Sequence, residues 1–179
     1  MYTTDGSMFE GLFLRALRVQ GGSELAEDLR RAGFDLRHIQ SHYDISIWAA
    51  CLDVAWRHLY PQRSRDEAWT LLGRRFIEGY FETAIGAAIA AVLPLMGASR
   101  FIERVPNFLR TGLSGSTCDV DLQGPGHAVL KFHGPHPRSA ILMAGVLEVC
   151  FERLGERVTC APKELAGDDS LLEVRWGAP

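Results

Sequence analysis

Lysine is almost missing from this sequence: Lys131 and Lys163 are the only two, and arginine supplies the other basic residues. The formal net charge is −3, so there is no basic surplus that could neutralise the phosphates of a nucleic acid over an extended site. We therefore predict no nucleic-acid partner. The chain has 179 residues and is 47% hydrophobic, which is sufficient for one packed core.

Long apolar runs are also missing. The longest stretch nearly free of charge, residues 85–97, falls short of the roughly 20 residues that a membrane-spanning helix requires, and it predicts a buried helix instead. Residues 1–8 contain Asp5 and lack a charged segment followed by an apolar one. The sequence thus predicts neither a transmembrane segment nor a secretory signal.

Cysteines with metal-binding or redox spacing are absent as well. The four cysteines share no CxxC spacing, and a chain of this size does not need disulfides to fold. Each lies on an apolar face of a predicted element, where free cysteine packs as a small hydrophobic residue. We expect reduced thiols and a cytoplasmic protein.

Up to about Arg110, apolar residues recur every three or four positions, which is typical of helices. Helices are predicted over 8–19, from Ser23 to Gly33, from Asp44 to Pro61, from Ser64 to about residue 80, over 85–97 and over 99–110. Ser23 and Asp44 are suitable N-caps, and Ser64 with Glu67 has the spacing of a capping box.

After Gly112 the period changes to two, which indicates strands with one buried face. Two alternating runs, 116–122 and 127–133, form a predicted hairpin around Gly124-Pro125-Gly126. A helix over 138–154 follows and ends at Gly155. Two further strands are predicted over 157–165 and 170–176, and Pro162 marks either an edge strand or a bulge in the first of them.

This order predicts an α+β fold: a helical part at about 8–110, then a ββαββ unit at about 115–177 with a four-stranded antiparallel sheet. We see no linker or repeat, so the prediction is a single domain over 1–179.

Several segments resemble an uncharacterised paralogous family expanded in myxobacteria, namely FEGLF at 9–13, LGRRFIEGY at 72–80, NFLRTG at 107–112 and AGVLE at 144–148. A more distant resemblance runs to the haem-NO-binding (H-NOX) domain, the vinyl-reductase-type ligand-binding domains and the transport-particle subunits. That resemblance implies a small molecule or acyl chain held between the helices and the sheet.

The resemblance does not extend to the haem ligands. An H-NOX domain would supply its proximal histidine from the segment 98–110, which here has no histidine. Its Tyr-x-Ser-x-Arg clamp for the haem propionates would fall on Phe132, Gly134 and His136 in this chain. All three clamp residues are replaced, so no haem and no other cofactor is expected.

Catalytic and metal-binding sets are weak. His127, His133 and His136 cluster, but no thiolate or acidic ligand at fixed spacing completes a metal site, so surface histidines are expected. Asp119 and Asp121 share one strand face, which we interpret as the solvated face. No nucleophile elbow or spaced Ser, His and Asp set is present, and we predict that the protein is not an enzyme.

Two candidate sites remain. The loop that begins with Arg110, Thr111 and Gly112 and runs to residue 116 combines a guanidinium, three hydroxyls and two glycines, which suits an anion; an ordinary glycine-rich connection is the favoured interpretation. An apolar pocket is the other candidate, with these residues in its wall: Trp48, Cys51, Leu52, Trp69, Phe76 and Tyr80.

The sequence favours a non-catalytic regulatory or sensor-like domain, independent of haem, that binds a small apolar ligand or a protein partner. The alternative is a structural adaptor that forms a homodimer through the glycine-containing helix at 74–85 or through an exposed sheet edge. An unrecognised enzyme is the third possibility.

Overall fold

The computed structural model describes residues 2–134 and 136–177. The ends of the predicted 1–179 domain, Met1, Ala178 and Pro179, lie outside these ranges. The helical part contains β1 (Thr3–Asp5), α1 (Gly6–Phe9) with its π-helical continuation (Glu10–Ala16), α2 (Glu24–Arg31), β2 (His42–Asp44), α3 (Ile45–Leu59), α4 (Arg65–Tyr80), α5 (Ala84–Val92), a 3-10 turn (Leu93–Leu95) and α6 (Ala98–Gly112).

The second part contains β3 (Leu113–Ser114), β4 (Thr117–Gly124), β5 (His127–His133), α7 (Ser139–Leu154), β6 (Val158–Glu164) and β7 (Ser170–Trp176). The last four strands and α7 form the predicted ββαββ unit. Their antiparallel sheet has the order β4-β5-β7-β6. The α+β class and the four-stranded sheet are therefore confirmed, and Pro162 lies on an edge strand.

Helix ends follow the local signals. Ser23 and Asp44 accept hydrogen bonds from the backbone amides of Ala26 and Ser46, and Ser64 with Glu67 makes the full capping box. Helix α7 ends at Gly155, whose φ of +74° is the left-handed conformation that glycine adopts without a steric penalty. Local chemistry thus sets these boundaries.

The sheet covers the helices with one face. In β5, Ala128, Leu130 and Phe132 are buried and pair across the register with β4 and β7. On β7 the side chain of Ser170 accepts a hydrogen bond from the backbone amide of Ala140, at 3.1 Å, and so satisfies the first turn of α7. Buried residues from both parts belong to one hydrophobic core.

Helices α4 and α7 cross at close range because each contributes a glycine to the contact. A Cβ atom at Gly73 would overlap the carbonyl oxygen of Leu142, and one at Gly145 would overlap that of Thr70. The glycine Gly79 in turn meets the backbone of the π-helical segment at Gly11. The glycine of the predicted homodimer contact through 74–85 is therefore covered within the chain, and that contact stays a prediction.

Two predictions need correction, and one feature of the fold was not predicted. The helix expected over 8–19 is a short α-helix that continues as a π-helix, where Gly11 lies against the backbone of Tyr80. A second sheet of three short strands, in the order β2-β1-β3, was not predicted, because two- and three-residue strands leave no alternating pattern. Leu122, which shares the apolar face of the predicted strand 116–122 with Cys118 and Val120 and was therefore expected to be buried, is 43% exposed near the end of edge strand β4.

The apolar segment 85–97 differs most from expectation. It forms α5 and the 3-10 turn, but only Gly86 of α5 is buried, and Ile85, Val92 and Leu95 are 47%, 46% and 85% exposed. The prediction of a buried helix is therefore wrong. Among the described residues, no single helix has both the length and the apolar composition of a membrane span. Helix α4 and the segment Ala84–Leu95 reach that length and composition only when they are counted together, and they are bent by 95° relative to each other.

Candidate functional site

An apolar cavity of about 140 Å³ lies between the helices and the sheet. Its wall is formed by α3 to α7, the 3-10 turn, β5 and the connections around β3. The principal side chains of that wall are Trp48, Trp69, Phe76, Ile77, Tyr80, Ile89, Leu93, Phe101, Val105, Phe108, Phe132, Leu142, Met143, Val146, Leu147 and Cys150. A space of this kind, lined by hydrocarbon, is suited to apolar molecules.

Aromatic rings from two helices form one side of the cavity. Trp48 of α3 meets Phe76 of α4 edge to face, with ring centroids 5.5 Å apart, and Phe76 lies 5.5 Å from Tyr80. The spacing of four residues between Phe76 and Tyr80 places both rings on the same face of α4. The helical spacing in the sequence therefore places the rings of Phe76 and Tyr80 next to each other in this wall.

The six residues of the predicted pocket separate into two groups. Trp48, Trp69, Phe76 and Tyr80 line the cavity. Cys51 and Leu52 are fully buried in the core without lining it. Both lie on the buried face of α3, but that face is wider than the part that borders the cavity.

Sequence reasoning missed the groups that fix Trp69. The indole nitrogen of Trp69 donates to Asp53 Oδ1 at 3.1 Å, and Arg65 Nε donates to the same oxygen at 2.8 Å. The Arg65 guanidinium also lies 5.6 Å from the centroid of the Trp69 ring. Asp53 and Arg65 come from different helices, so no sequence spacing could have indicated this arrangement.

Two polar side chains of the cavity wall bear on its chemistry, and the first is His136. Its ring stacks on Trp69 at 4.9 Å, and its Nδ1 accepts a hydrogen bond from the Arg138 backbone amide at 3.1 Å. Burial lowers the pKa of His136, and the charges of Arg65 and Arg138 act in the same direction. The imidazole is therefore neutral near pH 7, with its proton on Nε2.

The second polar side chain is Ser116. It lines the cavity, and its hydroxyl oxygen is buried without a hydrogen-bond partner among the described residues. Burial without a partner is unfavourable for a hydroxyl group. This side of the cavity can therefore offer a hydrogen bond.

The predicted anion-binding residues do not lie in a loop. Arg110, Thr111 and Gly112 form the last turn of α6, where the Arg110 side chain donates to Asn107 and the Thr111 hydroxyl donates to the Phe108 carbonyl at 2.7 Å. The carbonyl end of a helix carries partial negative charge. Anion binding here stays a prediction, and this geometry does not favour it.

The histidines of the β5 strand are engaged by carboxylates. His127 Nε2 lies 3.0 Å from Glu173, and His133 bridges Asp119 at 3.0 Å and Asp169 at 3.1 Å. His136 lies apart from both, against Trp69. Over residues 2–134 and 136–177, no three His, Cys, Asp or Glu side chains come together in a metal-binding arrangement.

The four cysteines are free thiols, and burial raises the pKa of each to about 12. Cys150 borders the cavity. A thiol with so high a pKa is almost wholly protonated at neutral pH and is a poor nucleophile.

Several solved H-NOX domains share this architecture. The chain superimposes on an H-NOX protein from S. oneidensis in the Fe(II)NO ligation state with a TM-score of 0.72 and 14% identity, covering 97% of this chain and 99% of that one. A Cs H-NOX mutant with the unnatural amino acid 4-cyano-L-phenylalanine gives 0.68 and 13%, covering 98% and 97%. An oxygen-binding H-NOX domain related to soluble guanylate cyclases gives 0.65 and 14%, covering 96% and 93%. The fold is therefore H-NOX-like.

Within this fold class, the chain belongs to the family described as protein of unknown function (DUF2378), whose model matches residues 3–177. No curated protein matches it. Together with the fold, this confirms the predicted resemblance to an uncharacterised family distantly similar to H-NOX domains.

The positions that the H-NOX resemblance assigns to haem contacts border the cavity but bear other chemistry. Helix α6 presents Phe101, Val105 and Phe108 to it. The three clamp positions, Phe132, Gly134 and His136, also line the cavity. Among the described residues no arginine or lysine does so.

Proposed function

We propose that this protein is a non-catalytic regulatory domain that binds a small apolar molecule, without haem, in the cavity between its helices and its sheet. The observation on which this rests is the apolar cavity of about 140 Å³, framed by aromatic rings from α3 and α4. The H-NOX domains of the same fold include one described as oxygen-binding.

The residues of α6 do not fit the haem of an H-NOX domain. A haem iron is held by a side-chain ligand such as histidine, cysteine or tyrosine, and α6, from which an H-NOX domain supplies its proximal histidine, brings to the cavity phenylalanines, a leucine, a valine and, in its last turn, a threonine and a glycine. Tyr80, His136 and Cys150 also line the wall, but they come from α4, from the segment before α7 and from α7. Haem propionates are carboxylates, and no arginine or lysine of the described residues lines the wall. We therefore infer that the ligand is smaller than haem and uncharged.

The size of the cavity supports a ligand of about the bulk of a single aromatic ring. An engineered apolar cavity of about 150 Å³ stays dry and binds benzene, and the cavity here is similar at about 140 Å³. The ligand would contact α4, α6 and α7 together, so its presence would bias how these helices pack and could be sensed by a partner.

Thermal unfolding with a ligand panel tests the proposal. Toluene, indole and hexanol are the probes, and haem and ATP are the comparators. A ligand at about one hundred times its Kd stabilises the folded state by about 2.7 kcal/mol, which raises the Tm of a chain of this size by roughly 5–10 °C. Stoichiometric haem binding with a Soret band, or no saturable shift with any apolar probe, would overturn it.

A homodimeric adaptor remains the alternative, with the sheet edges β4 and β6 as its surface. Light scattering coupled to size exclusion distinguishes the two proposals, because a protein that stays a strict monomer at high concentration cannot be a homodimeric adaptor.

A cytoplasmic location is proposed on the four free thiols, since unpaired cysteines are typical of a reducing compartment.

A further inference from the structure

The outward face of α5 has no polar side chain. Eight positions of α5 and the following turn face outward, and all are exposed, namely four alanines with Ile85, Val92, Pro94 and Leu95. A surface helix of a water-soluble domain normally carries polar residues on its outer face, and a helix that is apolar all round is normally buried. The outer face of α5 thus has the composition of a surface that contacts an apolar medium.

The dimensions of α5 argue against a second copy of the chain as that medium. Residues 84–95, α5 with its turn, are about 18 Å long, and half of a cylinder about 11 Å wide has an area of roughly 310 Å² at this length. A stable interface between proteins buries about 800 Å² on each partner. Binding to a bilayer does not require this minimum buried area, because a short apolar face can enter the boundary between headgroups and acyl chains.

The exposed charges that follow this face along the chain favour an anionic surface. Arg100 and Arg104 follow Leu95 by five and nine residues on the exposed side of α6, and neither makes an ion pair with a described carboxylate. Glu103 is the only acidic residue of α6, while Glu82 precedes the opposite end of α5. Along the chain the positive charge therefore follows the Leu95 end of the face, where exposure is greatest.

We propose that the outer face of α5, with Arg100 and Arg104, binds the surface of membranes that contain anionic phospholipid, and that the Leu95 end inserts. Arginine near an anionic leaflet is attracted to its headgroups, and the attraction is weakened by salt. The inner face of the same helix lines the cavity through Ile89, but membrane binding does not require a ligand in the cavity.

Vesicle co-sedimentation tests the proposal with the full chain. We expect binding to vesicles of equal parts phosphatidylglycerol and phosphatidylcholine, release by salt, and little binding to phosphatidylcholine alone. Leu95→Asp and the pair Arg100→Glu with Arg104→Glu are each expected to weaken binding by roughly tenfold or more. Leu122→Asp repeats the first change, and Arg157→Glu repeats one of the two charge reversals, at exposed positions elsewhere in the fold; both are expected to leave binding unchanged.

Circular dichroism establishes that each variant is folded, and Leu95→Ser replaces Leu95→Asp if the latter is not. Equal vesicle binding by wild type and the folded Leu95 variant would overturn the proposal. So would a wild-type dimer that Leu95→Asp converts to a monomer, because the face would then belong to a second copy. Since Leu95 does not line the cavity, the apolar-ligand thermal shift is expected to persist in these variants, so the two proposals can fail separately.

Discussion

The substitution Val146→Phe is expected to fill part of the cavity and stabilise the folded protein. Val146 lies on α7, is 6% exposed and lines the cavity. Residual cavities cost about 24 cal/mol per Å³. For the volume of about 140 Å³, the full cost is therefore about 3.4 kcal/mol.

Phenylalanine adds four side-chain carbon atoms to those of valine and is expected to occupy about a third of the space, for a gain of about 1 kcal/mol. That gain corresponds to a rise in Tm of about 2–4 °C for a chain of this length. The same variant is expected to lose the thermal shift given by apolar ligands, because the ring takes their place. Thermal unfolding with and without toluene measures both effects.

Val149→Phe is the matched control. Val149 lies on the same helix, is 4% exposed and does not line the cavity, so the larger side chain has no void to enter. Overpacking of this kind costs about 1–3 kcal/mol. If Val146→Phe and Val149→Phe destabilise the protein equally, the cavity is not a usable space and the reasoning behind the proposed function is refuted.

Three further predictions concern pH, packing and thiols. The pKa of His136 is lowered from its ordinary 6.5 in the folded protein, so on acidification the imidazole is protonated in the unfolded state before it is protonated in the folded state. The free energy of unfolding is therefore expected to fall as the pH drops below about 6.5, by up to about 1.4 kcal/mol per pH unit. His136→Phe, which keeps a ring against Trp69, is expected to flatten this slope in urea titrations; an unchanged slope would contradict the assignment. Gly145→Ala is expected to cost at least about 1–3 kcal/mol, because its Cβ would overlap the Thr70 carbonyl, whereas Gly21→Ala, which meets no atom within 4 Å, is expected to be nearly neutral in the same assay. Iodoacetamide at pH 8 is expected to leave the four thiols of the native protein almost unmodified, since burial raises their pKa values to about 12, and to alkylate all four in denaturant. Mass spectrometry counts the alkylated cysteines. Rapid alkylation of Cys150 in the native protein would contradict this expectation and would show that the cavity opens.

The sequence by itself determined the elements whose signals are local. Ser23, Asp44 and Ser64 mark helix starts because a capping hydrogen bond joins residues two or three apart. The change of period after Gly112 identified the ββαββ unit, because alternation requires no knowledge of the partner strand. The aromatic wall at Phe76 and Tyr80 followed from the same helical spacing.

Only the tertiary structure decided what depends on distant partners. It brought Asp53 and Arg65 to Trp69, and it kept Cys51 and Leu52 away from the cavity that Trp48 lines. It also turned an alanine-rich helix outward, although its composition predicts burial. Hydropathy gives the free energy of leaving water, but which surface is available to cover a helix is set by how the rest of the chain packs.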